Sequence, residues 1–130
     1  MFLLSIKPKY VDKIIKGEKN VEIRTKIPKN ISKKGKFLVY SSSPVKKVIG
    51  EIQYNNIIEV HSGCITEHDI RNIMHWSYNF GIPFYEFFQY VGGKKEFYGF
   101  VIDSIVLFKE PKSLADYGLK RPPQNFCYVK

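Results

Sequence analysis

The chain has 130 residues, of which 44% are hydrophobic and 15% aromatic, so we expect a single globular domain over residues 1–130. This composition excludes an intrinsically disordered chain. No apolar run approaches about 18 residues, which argues against a membrane-spanning helix and a membrane partner. Cys64 and Cys127 are far apart and lack metal-type spacing, so we expect free thiols in a reducing, cytoplasmic compartment.

The net charge of +9 is concentrated in the first part of the chain. Residues 1–50 contain 13 Lys or Arg and 3 Asp or Glu, a net charge of +10, whereas residues 51–130 contain 8 and 9, a net charge of −1. A basic field attracts polyanions, and binding through it weakens with salt. A Lys-rich composition is also typical of an AT-rich genome, but the asymmetry favours a nucleic-acid partner.

The first predicted elements are a strand and a helix. Phe2–Ile6 is a short apolar strand. Pro8 opens the helix, since its missing N–H is tolerated in the first turn. Val11, Ile14 and Ile15 have the i, i+3, i+4 spacing of a buried stripe.

Residues 17–24 join this helix to the next strand. Gly17 can adopt the left-handed conformation that ends a helix. Side chains alternate in the strand that follows, so its two apolar residues share one face while Glu22 and Arg24 share the other. Lys19 stands at the entry to this strand, and the pattern therefore gathers three charges in one place.

The residue pattern allows two interpretations of this charge cluster. A surface Glu–Arg pair contributes little. A partly buried cluster at a barrel mouth would let Glu22 accept from the amine of a base, while Lys19 and Arg24 hold an anionic or carbonyl oxygen. If Lys19 is desolvated, its pKa falls and it could act as a base or nucleophile.

A Lys-rich loop over residues 25–35 leads to the next predicted strand, Lys36–Ser42. Phe37 and Val39 point to one side of it, and Leu38 and Tyr40 to the other. The strand runs into three serines before Pro44, namely Ser41, Ser42 and Ser43. Such a run can offer hydroxyl and N–H groups to a ligand, or it can be an ordinary turn.

The remaining predicted elements are strands and short helices. They are a strand at Lys47–Val60 with a bulge at Gly50 or Asn55–Asn56, a helix capped by Thr66, a helix at Phe84–Tyr90, a strand at Phe97–Phe108 ended by Pro111, a helical turn at Leu114–Tyr117 and a strand at Asn125–Val129. We place Ile70, Ile73, Met74 and Ser77 on the inward side of the Thr66 helix. We place the aromatics of the second helix in the core, namely Phe84, Tyr85, Phe87, Phe88 and Tyr90.

The order β-α-β-β-β-α-α-β-β, with mostly antiparallel neighbours, predicts an α+β fold with a small, closed or nearly closed β-barrel. Phosphate loops of the Walker or dinucleotide type do not occur. His61, His68 and His75 are seven residues apart, about 10 Å along a helix axis, which is too far to share an ion. We therefore expect no cofactor and no metal.

The junction is similar to the signature of a known family. Gly17-x-Lys19-x-x-Glu22-x-Arg24 resembles the GxKxxExR motif of the ASCH domain, a branch of the PUA-like fold. Its flanks also resemble the family, at Leu4–Pro8, Leu38–Val45, Val48–Glu51 and Pro122–Phe126. The resemblance covers nearly the whole chain.

This resemblance implies a PUA-like barrel, mainly antiparallel, with flanking helices and a cleft lined by the signature residues. It implies binding of RNA or a modified nucleoside, with a role in transcription or translation. The expected partner is RNA or a nucleotide, bound by a monomer or weak dimer. The residues expected to contact it are Lys7, Lys19, Glu22, Arg24, Tyr40, Ser41, Ser42 and Ser43.

The alternative is a small hydrolase, with Lys19 as base and Glu22 as proton carrier. One branch of the family consists of amidohydrolases acting on acetylated cytidine, which this chain resembles at Lys19. That branch is expected to use a Thr where this sequence has Glu22, so its hydroxyl nucleophile is absent here. Ribonuclease activity is also attributed to some ASCH proteins. A third hypothesis is a protein-interaction domain that uses the same cleft.

Overall fold

The computed structural model describes residues 1–76 and 78–129. The strands are β1 (Phe2–Ile6), β2 (Val21–Arg24), β3 (Gly35–Ser41), β4 (Lys47–His61), β5 (Glu96–Lys112) and β6 (Phe126–Tyr128). The helices are α1 (Pro8–Ile15), α2 (Glu67–Met74) and α3 (Phe84–Val91), with a 3-10 turn at Leu114–Tyr117. The predicted order of elements is confirmed. Ser77, which we placed on the inward side of α2, lies outside the described residues.

Strand β5 is longer than its sequence predicts. Pro111 was expected to end it, but β5 continues to Lys112, which pairs with Val48 of β4. On its other side, β5 pairs with β2 only over residues 98–101. The missing N–H of Pro111 is tolerated because Pro is accommodated where one side of a strand is open.

The strands form one mixed sheet in the order β2-β5-β4-β3-β1-β6. Neighbours pair antiparallel except β1 and β3, which are parallel. The β4–β5 register shifts next to Gly50 and around Tyr54 to Asn56, where bulges were predicted, and such shifts bend a sheet. The α+β fold is confirmed, and the sheet is a curled half-barrel with β2 and β6 at its edges.

The alternation predicted for β2 and β3 is confirmed by the hydrophobic clusters. Phe37 and Val39 of β3 pack in a cluster with α1, while Leu38 and Tyr40 pack in a separate cluster on the other face. The apolar residues of β2 join a cluster formed with α2 and α3. Within residues 1–76 and 78–129, every helix is too short to cross a lipid bilayer.

The aromatic residues of α3 are not all in the core, contrary to the prediction. Phe87 is fully buried, but Tyr85, Phe88 and Tyr90 are 67%, 40% and 43% exposed. A short surface helix presents one stripe to the core. Here that stripe consists of Phe87 and Val91, which are four residues apart. The rings of Tyr85, Phe88 and Tyr90 are exposed at the surface.

Candidate functional site, a charged cavity at the edge of the half-barrel

Strand β2 turns its charged face inward. Because the apolar side chains of β2 pack against α2 and α3, the alternation places Glu22 and Arg24 on the opposite face. Lys19, Glu22 and Arg24 are only 4%, 6% and 7% exposed. The interpretation as a surface ion pair is therefore wrong. Charges buried this deeply need partners.

Arg24 uses its guanidinium to connect both edges of the sheet. Its Nη2 and Nε donate to Glu22 Oε2 at 2.8 and 3.1 Å. Nη2 also donates to the Ser5 carbonyl of β1 at 2.6 Å, and Nη1 donates to Asn125 Oδ1 at 3.0 Å. Asn125 Nδ2 in turn donates to the Lys26 carbonyl at 2.9 Å. These contacts join β2 at one edge of the half-barrel to β1 and to Asn125, the residue before the other edge strand β6.

Lys19 lies on the other side of the Glu22 carboxylate. Its Nζ donates to the Phe80 carbonyl at 2.7 Å and lies 3.5 Å from Glu22 Oε1 and 5.4 Å from the centre of the Tyr10 ring. Burial lowers the pKa of Lys19 below the ordinary value for lysine, and the carboxylate of Glu22 offsets part of that effect. Lys19 is therefore a desolvated amine next to a carboxylate.

The segment before α3 holds Lys19 in place. Asn20 and Asn79 exchange two hydrogen bonds of 2.7 Å, and Lys13 Nζ donates to the Gly81 carbonyl at 2.8 Å. Gly81 has a φ of +69°, and a Cβ there would lie 2.6 Å from Cβ of Lys19. Glycine is therefore required by both the backbone conformation and the close approach.

The three charged side chains line a cavity of about 680 Å³ that is open to solvent. This volume is within the usual range for small-molecule sites. Helix α3 supplies a polar wall, where Glu86 accepts a hydrogen bond of 3.1 Å from the Tyr10 hydroxyl. Lys7 and Lys9 lie exposed at the rim. The remaining lining residues include Ser5, Ser42, Ile82, Gln89, Tyr90 and residues 122–124.

The structure brings together most of the residues predicted to bind a nucleic acid. The cavity is lined by Lys7, Lys19, Glu22, Arg24 and Ser42. This shows that they share one site, while their role in binding stays a prediction. The tips of the three signature side chains converge on the Glu22 carboxylate, as the functional interpretation required.

Tyr40, Ser41 and Ser43 are not part of this lining. Tyr40 is 3% exposed and packs in a hydrophobic cluster, so the expectation that it contacts a ligand in this cavity is corrected. Ser41 is 2% exposed, and Ser43 is exposed in the turn beyond it. The cause is that β3 is flanked by β4 and β1 and carries core clusters on both faces.

The contributions of α3 and Asn125 to the site are not predicted from the sequence. The spacing of Glu86, Gln89 and Tyr90 is i, i+3, i+4, which places them on one helical face. That pattern is present in the sequence, but the aromatic content of the segment favours a core helix. Asn125 lies in the Pro122–Phe126 segment that resembles the family, but no pattern predicts its contact with Arg24, which spans 101 positions of the chain.

A curled α+β half-barrel with a buried Lys–Glu–Arg cluster at its edge strand β2 defines a PUA-like domain with a charged cavity. A family model described as "ASCH domain" matches residues 4–108. The chain belongs to the ASCH domain family, and the assignment made from the Gly17–Arg24 signature is confirmed.

Solved structures similar to this chain include ASCH proteins from Zymomonas mobilis. The crystal structure of ASCH from that organism superposes with a TM-score of 0.78 at 19% identity, covering 99% of this chain and 87% of that chain. A point mutant of the same protein gives a TM-score of 0.78 at 19% identity and covers 99% and 89% of the two chains. At this identity the likeness shows the fold alone.

Two similar proteins come from Ureaplasma parvum serovar 3. One, named ATP synthase subunit alpha, is 30% identical over 95 residues, which are 73% of this chain and 11% of that protein. The other, named large ribosomal subunit protein uL22, is 29% identical over 114 residues, which are 87% of this chain and 33% of that protein. The chain spans a third or less of each relative. Because the two names describe unrelated functions, neither indicates what this chain does.

Proposed function

We propose that this protein binds single-stranded RNA or a modified nucleoside by accepting one unpaired base in the charged cavity. The observation that carries this proposal is the hydrogen bonding of the two Glu22 carboxylate oxygens. Arg24 occupies Oε2, whereas Oε1 faces Lys19 at 3.5 Å, longer than a usual hydrogen bond. Oε1 therefore keeps the capacity to accept from an incoming amine.

A base would enter with its exocyclic amine donating to Glu22 Oε1. Lys19 Nζ would donate to a carbonyl oxygen of the base, and the half-exposed ring of Tyr90 would stack on its face. Lys7 and Lys9 at the rim would contact phosphates, which position a strand without reading its sequence. Membership in the ASCH family and the basic first 50 residues support this assignment.

The biological setting is part of the same proposal. We infer a monomer or weak dimer that binds RNA or a nucleotide and acts in the control of transcription or translation. The structure has Cys64 and Cys127 as free thiols, which supports a reducing, cytoplasmic location.

Replacing Glu22 by glutamine is expected to weaken RNA binding about tenfold or more, because hydrogen bonds to a charged acceptor contribute about 1.5–3 kcal/mol. The measurement is a titration with short single-stranded RNA at two salt concentrations, with the melting temperature recorded to verify folding. Wild-type affinity should fall as salt rises.

The matched control is Glu67→Gln, which removes an exposed carboxylate paired with Arg71 outside the cavity. It should bind RNA as the wild type does. No binding of the wild type at low salt, or equal affinity for wild type and Glu22→Gln, would refute the proposed function.

A second candidate function is supported by the desolvated amine of Lys19. With its pKa lowered, Lys19 is more often neutral and able to take a proton from a water that attacks an amide carbonyl of a modified nucleoside. Arg24 would stabilise the carbonyl oxygen as it becomes negative. As the C–N bond breaks, the proton taken up by Lys19 would pass through Glu22 to the leaving nitrogen.

Incubation with acetylcytidine and with labelled RNA tests this second function. Turnover should rise with pH at values below the ordinary pKa of lysine, and Lys19→Met should abolish it while the exposed control Lys109→Met leaves it unchanged. An absence of turnover, or turnover that Lys19→Met leaves intact, would remove the hydrolase from consideration.

A further inference from the structure

A second concave surface, which we call the basic groove, adjoins the charged cavity. Its volume is about 740 Å³. It is lined by residues from the loop after β2, the start of β5 and strand β6, namely Thr25, Lys26, Ile27, Lys29, Lys94, Lys95, Glu96, Tyr98, Phe126 and Tyr128. Nothing in the proposed base contacts uses this surface.

The charge of the basic groove is strongly positive. Lys26, Lys29, Lys94 and Lys95 are all exposed, and within residues 1–76 and 78–129 none of them forms an ion pair. The one carboxylate, Glu96, accepts a hydrogen bond from the Tyr98 hydroxyl. Four cations against one engaged carboxylate make a surface that favours a polyanion.

Aromatic side chains lie among these lysines. Tyr128 is 64% exposed, and its ring meets that of Phe126 edge to face at 6.2 Å between centroids. Tyr98 contributes a third, half-buried ring. Lysines that neutralise phosphates, combined with exposed rings on which bases stack, characterise surfaces that bind single-stranded nucleic acid.

Asn125 forms the boundary between the two concave surfaces. Its side chain accepts from Arg24, which lines the charged cavity, and donates to the carbonyl of Lys26, which lines the basic groove. Arg24 and Lys26 are separated only by Thr25, which also lines the groove. A nucleic-acid strand leaving the cavity therefore meets the groove within about 7 Å, the length of two residues in an extended chain.

We propose that the basic groove binds the nucleotides that flank the base held in the charged cavity, so that the ligand is a single-stranded RNA segment rather than a free nucleoside. This inference rests on the proposed function. Lysines of the groove contact the flanking phosphates, and Tyr128 stacks on a neighbouring base. An acidic peptide would use the lysines but would gain little from the exposed ring.

The test compares a mononucleotide with oligonucleotides of up to about six nucleotides, a length in the range that single modules cover. Wild-type affinity is expected to rise at least tenfold over this series. The double variant Lys29→Ala, Lys94→Ala should lose most of that gain and bind the mononucleotide as wild type does. Its slope of log affinity against log salt should be shallower by about 1.4, since each single-strand phosphate contact contributes about 0.7.

Two matched controls isolate the groove. Lys109→Ala, Lys120→Ala removes the same charge from exposed lysines outside both concave surfaces and should keep the gain with length. Tyr128→Ala should weaken the oligonucleotide about tenfold. Tyr85→Ala, which removes an equally exposed ring outside both surfaces, should not.

The outcomes separate this inference from the proposed function. Suppose that the mononucleotide binds and that this binding depends on Glu22. If affinity does not then rise with oligonucleotide length, or if the groove variants keep that rise, the inference about the groove is wrong while the proposed function stands. A failure to bind RNA of every length overturns both. If an acidic peptide of matched charge competes as well as RNA and Tyr128→Ala has no effect, the groove is a peptide site and the inference is wrong.

Discussion

Replacing Arg24 by methionine is expected to lower the free energy of unfolding by about 3–5 kcal/mol, because the buried Glu22 carboxylate loses its hydrogen-bonded partner and keeps only Lys19 at 3.5 Å. Glu22 is 6% exposed and receives two hydrogen bonds from Arg24. The same substitution removes donors from the Ser5 carbonyl and from Asn125 Oδ1. The edges of the half-barrel would therefore lose a connection at the same time.

Urea denaturation of the purified variants measures this effect. Arg71→Met is the matched control, because Arg71 pairs with Glu67 at 2.8 Å with both side chains 57% exposed. It should cost about 1 kcal/mol or less. The double variant Glu22→Gln, Arg24→Met should lose clearly less stability than the sum of its single variants, since neither the Glu22 carboxylate nor the Arg24 guanidinium is then left buried without the other. A loss below about 1 kcal/mol for Arg24→Met would show that the pair is unimportant to the fold.

Replacing Gly81 by alanine is expected to destabilise the protein by about 2–5 kcal/mol and to weaken RNA binding. About 1–2 kcal/mol comes from placing a Cβ in the left-handed conformation, and about 1–3 kcal/mol from overpacking. The added Cβ would lie 2.6 and 2.8 Å from Cβ and Cγ of Lys19. These atoms are at the root of the side chain, so Lys19 can yield only by moving its amine.

Gly63→Ala separates the two contributions. Gly63 also has a positive φ, +77°, but a Cβ there would meet no atom within 4 Å. Gly63→Ala should be destabilised only by placing a Cβ in the left-handed conformation, and it should bind RNA as the wild type does. Denaturation and RNA titration of both variants make the comparison. Equal stability and equal affinity for the two would mean that the segment around Gly81 does not position Lys19.

The dual role of Arg24 affects how the site can be studied. Because this side chain both pairs with Glu22 and connects the edges of the sheet, loss of binding in an Arg24 variant could follow from loss of the fold. Glu22→Gln keeps the shape of the side chain and one acceptor oxygen for Arg24, and it removes the negative charge between Lys19 and Arg24. Because the contacts of Arg24 with Ser5 and Asn125 remain, Glu22→Gln disturbs the half-barrel less than an Arg24 substitution does.

Local patterns were enough to predict the elements and the composition of the charge cluster. Alternation in β2 separated its apolar residues from Glu22 and Arg24, and Gly17 ended α1 with a φ of +76°. Thr66 capped α2 as predicted. These features depend on neighbours within a few positions of the chain, where conformational preferences of single residues act directly. The order of elements and the α+β class followed from them.

Only the tertiary structure decided which of these residues share a cavity. Alternation predicted that Tyr40 and Phe37 lie on opposite faces of β3. It could not show that both faces are buried in hydrophobic clusters. The contacts that shape the site join residues far apart in the chain, such as Lys19 with Phe80 and Arg24 with Asn125. Such contacts follow from the curl of the whole sheet and its packing, which the conformational preferences of single residues do not predict.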